Sequence, residues 1–526
     1  MGSIISCAMM EMSIFLVGLY SPMPAVAIFA LNAALAVFLN MFFQLTLFIT
    51  LVYLDTVRVK QSRCDILCFF KNKIYKKSNK TNHLGDFFAG LTRILMKKYI
   101  KALVVIIFTG MFAGSLYIIS FADIGLDQNL SVSTSSYLYT YFNSMEAYLN
   151  VGVPVYFVVE GIFPYQNQEA RKLICGSAGC DLFGLSEQIS RASHQPKFST
   201  IETPAASWLD DYLDWLEPIS RCCSVYRSDE EFCHAQVSNL LQCKWCVSPN
   251  STVVESVFTN MLPDWLEDNP DEYCSKGGHA AYSSALSLRE EDIEASHFMS
   301  YHSICIESSE CQANLEQARV IADNITHHIN RGLEDIGFNS SISVWPYSIY
   351  YPYYEQYITM GSDAIFQLLL CMVPISVLSF VCYNCSLSAC LVILITVVFI
   401  VTDTYACCVL WNVQFNPLTL INLIASSGLA IEFTGHSVRH FIQLDNGDRI
   451  ERTIATMRSM GPVIILGVTM TNLPGIVTLH WAHMQIIEIF FFRMSFLTTI
   501  SGAIHACLFL PVLLSIFGKS IEIIIL

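Results

Sequence analysis

The chain has 526 residues, of which 53% are hydrophobic and only 14% are charged, and its formal net charge is −15. Soluble globular proteins carry roughly 25% charged residues, so this composition excludes a soluble enzyme as an interpretation of the whole chain. A nucleic-acid-binding protein needs a basic surface, and the acidic balance excludes that class too. Apolar stretches long enough to cross a bilayer recur at both ends, which predicts a polytopic membrane protein.

Eight stretches of roughly 20 mainly apolar residues predict transmembrane helices. They lie near 4–20, 26–53, 102–122, 364–382, 389–410, 418–437, 462–480 and 487–516. Between the third and fourth stretches, the block 123–363 carries 11 Lys and Arg residues against 33 Asp and Glu residues. Such a contrast in charge marks a domain boundary, so we expect one folded domain between two helical segments.

The orientation follows from the loop 55–101, which carries 12 Lys and Arg residues. Short basic loops stay in the cytosol, so the block 123–363 is predicted to be luminal or extracellular. The loop 438–461 with its four arginines and the tail 517–526 then fall on the cytosolic side.

The polar block is rich in cysteine and in glycosylation sequons. Ten of the 20 cysteines lie in it, namely Cys175, Cys180, Cys222, Cys223, Cys233, Cys243, Cys246, Cys274, Cys305 and Cys311. Sequons begin at Asn129, Asn250, Asn324 and Asn339. Together these features favour an oxidising, glycosylating compartment. Disulfides are favoured over a zinc site at Cys233, His234, Cys243 and Cys246, although spacing alone leaves the connectivity open.

The block also mixes two kinds of secondary-structure signal. The run 153–159 (VPVYFVV) is typical of a buried strand. Residues 310–329 have helical periodicity, and 344–354 is aromatic-rich and predicted to be extended. We therefore expect an α+β domain with a core of its own.

Several short motifs follow one another along the chain. They are 125–128 (GLDQ), 206–212 (ASWLDDY), 276–283 (KGGHAAYS), 354–357 (YEQY), 431–433 (IEF) with His436, 471–476 (TNLPGI) and 509–515 (FLPVLLS). In identity and order these motifs resemble the Niemann–Pick type C1 and C1-like family of the resistance-nodulation-division superfamily. The resemblance covers almost the whole chain.

The resemblance implies an architecture. The chain is similar to the C-terminal half of a resistance-nodulation-division pseudo-dimer, beginning inside a sterol-sensing segment. The implied parts are two sterol-sensing helices in 1–54, a basic cytosolic loop in 55–101, a transmembrane helix in 102–122, a luminal domain in 123–363, a five-helix bundle in 364–516 and a cytosolic tail in 517–526. The implied disulfides are Cys175–Cys180, Cys222–Cys274, Cys223–Cys246 and Cys233–Cys243, which leaves Cys305 and Cys311 to pair by proximity.

Ionisable residues inside predicted membrane helices are functional candidates, because burying a charge in lipid is expensive. Glu432 and His436 lie one helical turn apart. The resemblance places Glu432 in a proton relay, and His436 is a second relay candidate because a carboxylate near an imidazole can pass protons. The alternative is a protonated Glu432 that only bonds a neighbouring helix, with His436 near the cytosolic interface. Asp403 is a further relay candidate, with polar helix packing as its alternative. Glu11 resembles an acidic position of the sterol-sensing segment, where a sterol role and a packing role are both open.

The resemblance implies transport of sterol, of the cholesterol type, across or into membranes. The alternative is a sterol-regulated receptor or scaffold that binds a protein through the luminal domain. Since no hydrolase, kinase or nucleotide-binding signature is found, we expect no enzyme activity, cofactor or metal. The expected partners are sterol, the membrane, and either the missing N-terminal half or a soluble sterol carrier. Endosomal or lysosomal membranes and the plasma membrane remain as locations.

Overall fold

The first part of the chain is built from apolar helices. The computed structural model describes residues 2–61, 63, 83–149, 151–228, 230–235, 242–248, 253–289, 292–305, 308–339, 341–383, 385–444 and 447–518. The first helices are α1 (Gly2–Gly18), α2 (Pro24–Phe43), α3 (Ile49–Lys60), α4 (His83–Leu95) and α5 (Lys98–Ile119). A π-helical segment, Gln44–Phe48, joins α2 to α3 without a break, so one long helix runs from Pro24 to Lys60.

The middle of the chain alternates short helices with strands. Its helices are α6 (Tyr137–Tyr148), α7 (Gln168–Arg171), α8 (Leu185–Ser193), α9 (Trp208–Leu216), α10 (Glu255–Glu267), α11 (His279–Tyr282) and α12 (Ser308–Ile336). Its strands are β1 (Pro154–Glu160), β2 (Ser224–Tyr226), β3 (Cys243–Trp245), β4 (Leu286–Arg289), β5 (Asp292–Tyr301) and β6 (Ser343–Tyr347). The predicted strand at 153–159 is β1, and the predicted helix at 310–329 is the central part of α12.

The last part returns to long apolar helices. They are α13 (Tyr351–Cys382), α14 (Leu387–Leu410), α15 (Pro417–Gln443), α16 (Arg449–Gly467), α17 (Leu473–Leu479), α18 (Met494–Ile504) and α19 (Leu510–Phe517). Three π-helical segments interrupt them at Val468–Asn472, Ile487–Arg493 and His505–Phe509. The stretch 344–354, predicted to be extended throughout, is a strand only in β6, and its last residues already belong to α13.

The membrane class predicted from the sequence is confirmed. Within the described residues, seven helices are long and apolar enough to cross a membrane, and α1 adds the shorter apolar stretch Ile4–Gly18. These helices occupy the eight predicted positions. Local sequence fixes some of their ends, since Asn416 caps α15 by accepting from the backbone N–H groups of Leu418 and Thr419, and Pro417 follows it.

The chain divides into two compact units. The helical unit comprises Met1–Tyr139 and Thr359–Leu526, and the inserted unit comprises Thr140–Ile358. The inserted unit begins later and ends earlier in the chain than the predicted domain 123–363.

Within the helical unit, polar contacts show which helix ends lie together. Arg439 Nη1 donates to Ser6 Oγ at 2.9 Å, so the end of α15 lies beside the start of α1. At the other end of α1, Gln367 Nε2 donates to the carbonyl of Val17 at 3.0 Å. α1 and α15 are antiparallel, as alternating crossings require, since Gly428 approaches Glu11 and the later Gly435 approaches the earlier Cys7.

One helix lies where the sequence predicted only a basic loop. α4 buries Phe88, Ala89 and Leu95. The ring of Phe88 covers Gly461 of α16, where a Cβ atom would come within about 2.5 Å of it, and Arg458 pairs with Asp86 at 2.6 Å. Part of the loop 55–101 is thus an amphipathic helix packed on the bundle.

The core of the inserted unit is a four-stranded antiparallel sheet in the order β4-β5-β1-β6. Alternate residues of β1, namely Val155, Phe157 and Val159, are buried on one face. The apolar stripe of α12 is buried in the same core, and Thr326 of α12 donates to the carbonyl of Val344 at 3.2 Å. This arrangement is the predicted α+β domain.

Two of the sequence motifs meet inside this unit. Asp211, in the motif 206–212, accepts hydrogen bonds from Lys276 Nζ and from the hydroxyl of Tyr282, both in the motif 276–283 and both at 2.6 Å. The hydrogen bonds to Asp211 and Asp214 raise the pKa of Lys276. The motif residue Gly278 lies under the ring of Trp265, where a Cβ atom would be only 2.6 Å from ring atoms.

Five disulfides lie in the inserted unit. They join Cys175–Cys180, Cys222–Cys274, Cys223–Cys246, Cys233–Cys243 and Cys305–Cys311. This set agrees with the pairs that the family resemblance implied, and it leaves no thiolate among these cysteines to serve the alternative zinc site.

The sequon residues differ in their surroundings. Asn324 and Asn339 are exposed on the inserted unit, and Asn129 is half-buried in a short helical turn of the helical unit. Asn250 lies outside the described residues.

His302 is a buried histidine of the inserted unit. Its side chain is fully buried, its Nδ1 faces the carbonyl of Thr200 at 3.3 Å, and its Nε2 accepts from the hydroxyl of Tyr351 at 2.7 Å. Burial lowers the pKa of His302 to about 4. An exposed histidine has a pKa of about 6.5.

We predict that the free energy of unfolding falls as the pH drops from about 6.5 to about 4, because the unfolded chain binds a proton that the folded chain refuses. The lowered pKa of His302 corresponds to a loss of about 3 kcal/mol in the free energy of unfolding over that pH range. Near-ultraviolet circular dichroism during thermal unfolding measures it. His302→Gln should flatten this dependence, whereas His194→Gln, at an exposed histidine, should not; equal slopes in all three proteins would contradict the prediction.

A second prediction concerns Asp211. Asp211→Ala should lower the free energy of unfolding by about 1–2 kcal/mol, because it removes two hydrogen bonds to half-exposed groups. Asp214→Ala is the matched control, since this more exposed carboxylate contacts only Lys276 among those groups, at 3.0 Å. Chemical denaturation should therefore separate the two variants, and equal losses would show that Asp211 has no special role.

Candidate functional site

The candidate site lies where α1 packs along α15. Two glycines of α15 allow close approach: a Cβ atom on Gly428 would lie 2.9 Å from Glu11 Cγ, and one on Gly435 would lie 3.0 Å from Cys7 Sγ. Small residues at helix interfaces let backbones approach closely in membranes. Gly428 therefore provides the space that places Glu11 against α15.

A cavity of about 440 Å³ opens between α1, the long helix of α2 and α3, and α15. Its walls are mostly apolar side chains. The polar groups that line it are Glu11, Asn40, Gln44, Glu432 and His436. The volume lies within the range of about 300–1,000 Å³ that is usual for small-molecule pockets.

The cavity brings together three of the four ionisable candidates from the sequence. Glu432 lies one turn beyond Gly428, with its side chain exposed, and His436 follows one turn later. Glu11 enters from α1 on the opposite wall. Two carboxyl groups and an imidazole thus share one mostly apolar space, an arrangement that suits the binding of protons and polar ligand groups.

The π-helical segment Gln44–Phe48 supplies part of the cavity wall. Gln44, Leu47 and Phe48 all line it. A π-bulge widens a helix locally and is frequent at functional sites. The sequence has no signal for this π-helical segment, because the stretch has the composition of an uninterrupted apolar helix.

Asp403 lies away from this cavity, in a separate polar cluster. Ser115 Oγ of α5 donates to Asp403 Oδ1 at 2.7 Å, and His505 Nε2 lies 3.2 Å from Asp403 Oδ2. Phe108 packs edge-on against the imidazole of His505, with ring centroids 4.9 Å apart. The structure therefore separates Asp403 from Glu432 and His436, with which it was grouped as a relay candidate.

His505 was not among the functional candidates predicted from the sequence. The signal was present, since His505 is an ionisable residue inside the predicted span 487–516, where such groups need partners. Its partner Asp403 lies about a hundred residues earlier, however, and only the packing of the helices brings the two together.

Comparison with known proteins places this geometry in context. Residues 2–72 match the family model described as the sterol-sensing domain of SREBP cleavage-activation. All but two of the residues that line the cavity fall within this segment, the exceptions being Glu432 and His436. The candidate site is thus built mainly from the matched helices.

Two relatives illustrate the similarity of sequence. The chain is 36% identical over 516 residues to the pig NPC intracellular cholesterol transporter 1, covering 97% of this chain and 40% of the relative. It is 35% identical over 556 residues to the human NPC1-like intracellular cholesterol transporter 1, covering 99% of this chain and 41% of the relative. The chain therefore spans about two fifths of the length of these relatives.

A solved structure supports the fold. The hedgehog release protein Disp from the water bear Hypsibius dujardini aligns with 98% of this chain and 58% of its own chain, with a TM-score of 0.58 and 13% identity. At that identity the likeness concerns the fold alone. The sequence matches confirm the predicted kinship: over nearly its whole length this chain is a relative of the NPC1 and NPC1-like intracellular cholesterol transporters.

Proposed function

We propose that this chain binds a sterol in the cavity between α1, the α2–α3 helix and α15, as part of a cholesterol transporter. The observation that carries the proposal is the coincidence of this cavity with the residues that match the sterol-sensing family model. The names of the relatives supply the substrate class, cholesterol.

The chemistry of the cavity supports such a ligand. A sterol is a rigid apolar body with one hydroxyl group, so its pocket needs apolar walls and a few polar groups at one place. Asn40 and Gln44 on one wall and Glu432 on the other can contact a hydroxyl. Transfer of the apolar body between membrane and pocket exchanges one apolar environment for another and requires no covalent chemistry. A non-enzymatic role is also supported by relatives that are named as transporters.

Glu432, His436 and Glu11 would couple this cavity to protons. A carboxyl group beside a titratable imidazole can pass a proton, and each group is costly to keep charged in a mostly apolar space. Binding of a sterol would displace water from the same cavity, so the protonation of these groups and the occupancy of the cavity would depend on each other.

The expected setting is an endosomal, lysosomal or plasma membrane, with the inserted unit on the luminal or extracellular side. The basic loop 55–101 supports this orientation, as do the disulfides of the inserted unit. Because the chain spans about two fifths of its relatives, the remaining segments of such proteins or a soluble sterol carrier are the natural partners in transfer.

The proposal is tested with the purified chain in lipid nanodiscs and a photoreactive cholesterol analogue. Labelling should concentrate in residues 4–51 and decline when unlabelled cholesterol competes. Labelling that cholesterol does not reduce, or that avoids α1 and the α2–α3 helix, would overturn the proposal.

Blocking the cavity gives the third prediction. Gly428→Leu should reduce the labelling that unlabelled cholesterol can displace by about tenfold, because the leucine side chain would displace Glu11 and fill the space beside it. Gly110→Leu is the matched control, since a Cβ atom there meets nothing within 4 Å. Similar labelling of both variants would show that the sterol binds elsewhere.

The fourth prediction separates proton-coupled transport from a scaffold. Glu432→Gln should lower sterol transfer from proteoliposomes to acceptor vesicles under a pH gradient at least about tenfold, because Gln cannot carry a proton. Glu451→Gln, at an exposed carboxylate of α16, should transfer sterol like the unmodified chain. Unchanged transfer by a folded Glu432→Gln variant would remove the relay and favour the sterol-regulated receptor or scaffold.

A further inference from the structure

Asp403 and His505 form a buried acid–base pair that the cavity does not use. Asp403 is 4% exposed and His505 is 1% exposed. The two side chains come from α14 and from the π-helical segment His505–Phe509, and Ser115 joins them from α5. The cluster therefore links three membrane helices.

The hydrogen bonds around His505 determine where its hydrogens can be. Nδ1 lies 2.8 Å from the carbonyl oxygen of Ser501 and 3.4 Å from the hydroxyl oxygen of the same residue. A carbonyl oxygen can only accept, so the shorter contact requires a hydrogen on Nδ1. In a neutral imidazole the other nitrogen, Nε2, then presents a lone pair, and this lone pair faces the carboxyl oxygen of Asp403 at 3.2 Å.

That contact is favourable only when a proton lies between the two groups. Without it, a carboxylate and a neutral imidazole bring two acceptors face to face. Neither Asp403 Oδ2 nor His505 Nε2 makes an aligned hydrogen bond to any described residue. One proton, on either partner, would satisfy both atoms.

The surroundings make the proton-free state costly. The rings of Phe108, Phe399 and Phe509 stack beside the pair. The ring centroid of Phe509 lies 4.8 Å from that of Phe108 and 5.0 Å from that of Phe399. Removing the proton would leave one net negative charge in this apolar setting, and Ser115 would be its one hydrogen-bond donor among the described residues. Adding the proton makes the pair neutral overall.

Among the described residues, neither Asp403 nor His505 forms an ion pair with any further group. On α14, Cys407 lies one turn beyond Asp403, and Tyr405 packs on Phe415. α5 contributes Ser115 and no charged side chain between 102 and 119. Several other ionisable groups of the packed helices have surroundings of their own: Glu432 and His436 line the cavity, Arg439 contacts Ser6, His440 lies beside Thr456, Arg493 donates to the carbonyl of Trp411, and Cys507 packs with Phe88 and Met457.

We propose that Asp403 and His505 bind one exchangeable proton between them, as a second proton-binding site of the helical unit that is separate from the cavity of Glu11, Glu432 and His436. The proton holds α5, α14 and the α18–α19 helix together, and its release weakens that contact. The π-helical segment that begins at His505 gives the α18–α19 helix a place where its packing can change. This site does not depend on sterol binding.

The test is infrared difference spectroscopy of the full chain in nanodiscs during a pH titration, with the histidine rings isotopically labelled. In the unmodified chain, a carboxyl band and a histidine band should titrate together in one step. Asp403→Asn should fold, because an amide can donate to Nε2 and accept from Ser115 as the protonated carboxyl does, and this coupled step should disappear. His505→Gln should also abolish it, whereas Glu432→Gln should leave it unchanged.

The outcomes decide the proposal separately from the sterol assays. A histidine step that persists unchanged in Asp403→Asn, or a coupled step lost only in Glu432→Gln, would overturn it. Ser115→Ala is a milder second variant that keeps both titrating groups, and it should move the midpoint of the coupled step without abolishing it. An unmoved midpoint would contradict the geometry on which the site is based.

Discussion

In a lipid environment the hydrophobic effect does not press apolar helices together, so helix association depends on close packing and polar contacts. α15 uses both. Gly428 and Gly435 admit side chains of α1, and Arg439 ties the end of α15 to Ser6. This contact places Glu11 opposite Glu432 and closes one wall of the cavity. The candidate site therefore depends on the two glycines of α15, which have no side chains, as much as on the groups that line the cavity.

The inserted unit is stabilised by different interactions from those of the helical unit. Its core combines the buried face of the sheet, the stripe of α12 and the tryptophans of α9 and α10. Five disulfides reinforce the region, and Asp211 joins two motifs that are far apart in the sequence. A motif that is recognisable in the sequence is here a packing device: Gly278 is needed beneath Trp265.

The helical unit contains two kinds of intramembrane carboxyl group. Glu432 lies on the cavity together with Glu11 and His436, and its side chain is exposed. Asp403 is enclosed by aromatic rings and has specific partners in Ser115 and His505. The first arrangement suits an exchange with bound molecules. The second suits a bound proton that stabilises the packing of three helices.

The sequence by itself determined the membrane class, the eight apolar positions, the strand β1, most of α12 and the kinship, because these depend on local hydropathy, local periodicity and motifs. It did not reveal α4 within the basic loop, the early start of α13 or the partner of Asp403. Those features depend on how each helix is rotated about its axis and on which neighbour it meets. Hydropathy specifies that a segment crosses the membrane, but not which face meets another helix, and so only the tertiary structure separated Asp403 from Glu432 and joined it to His505.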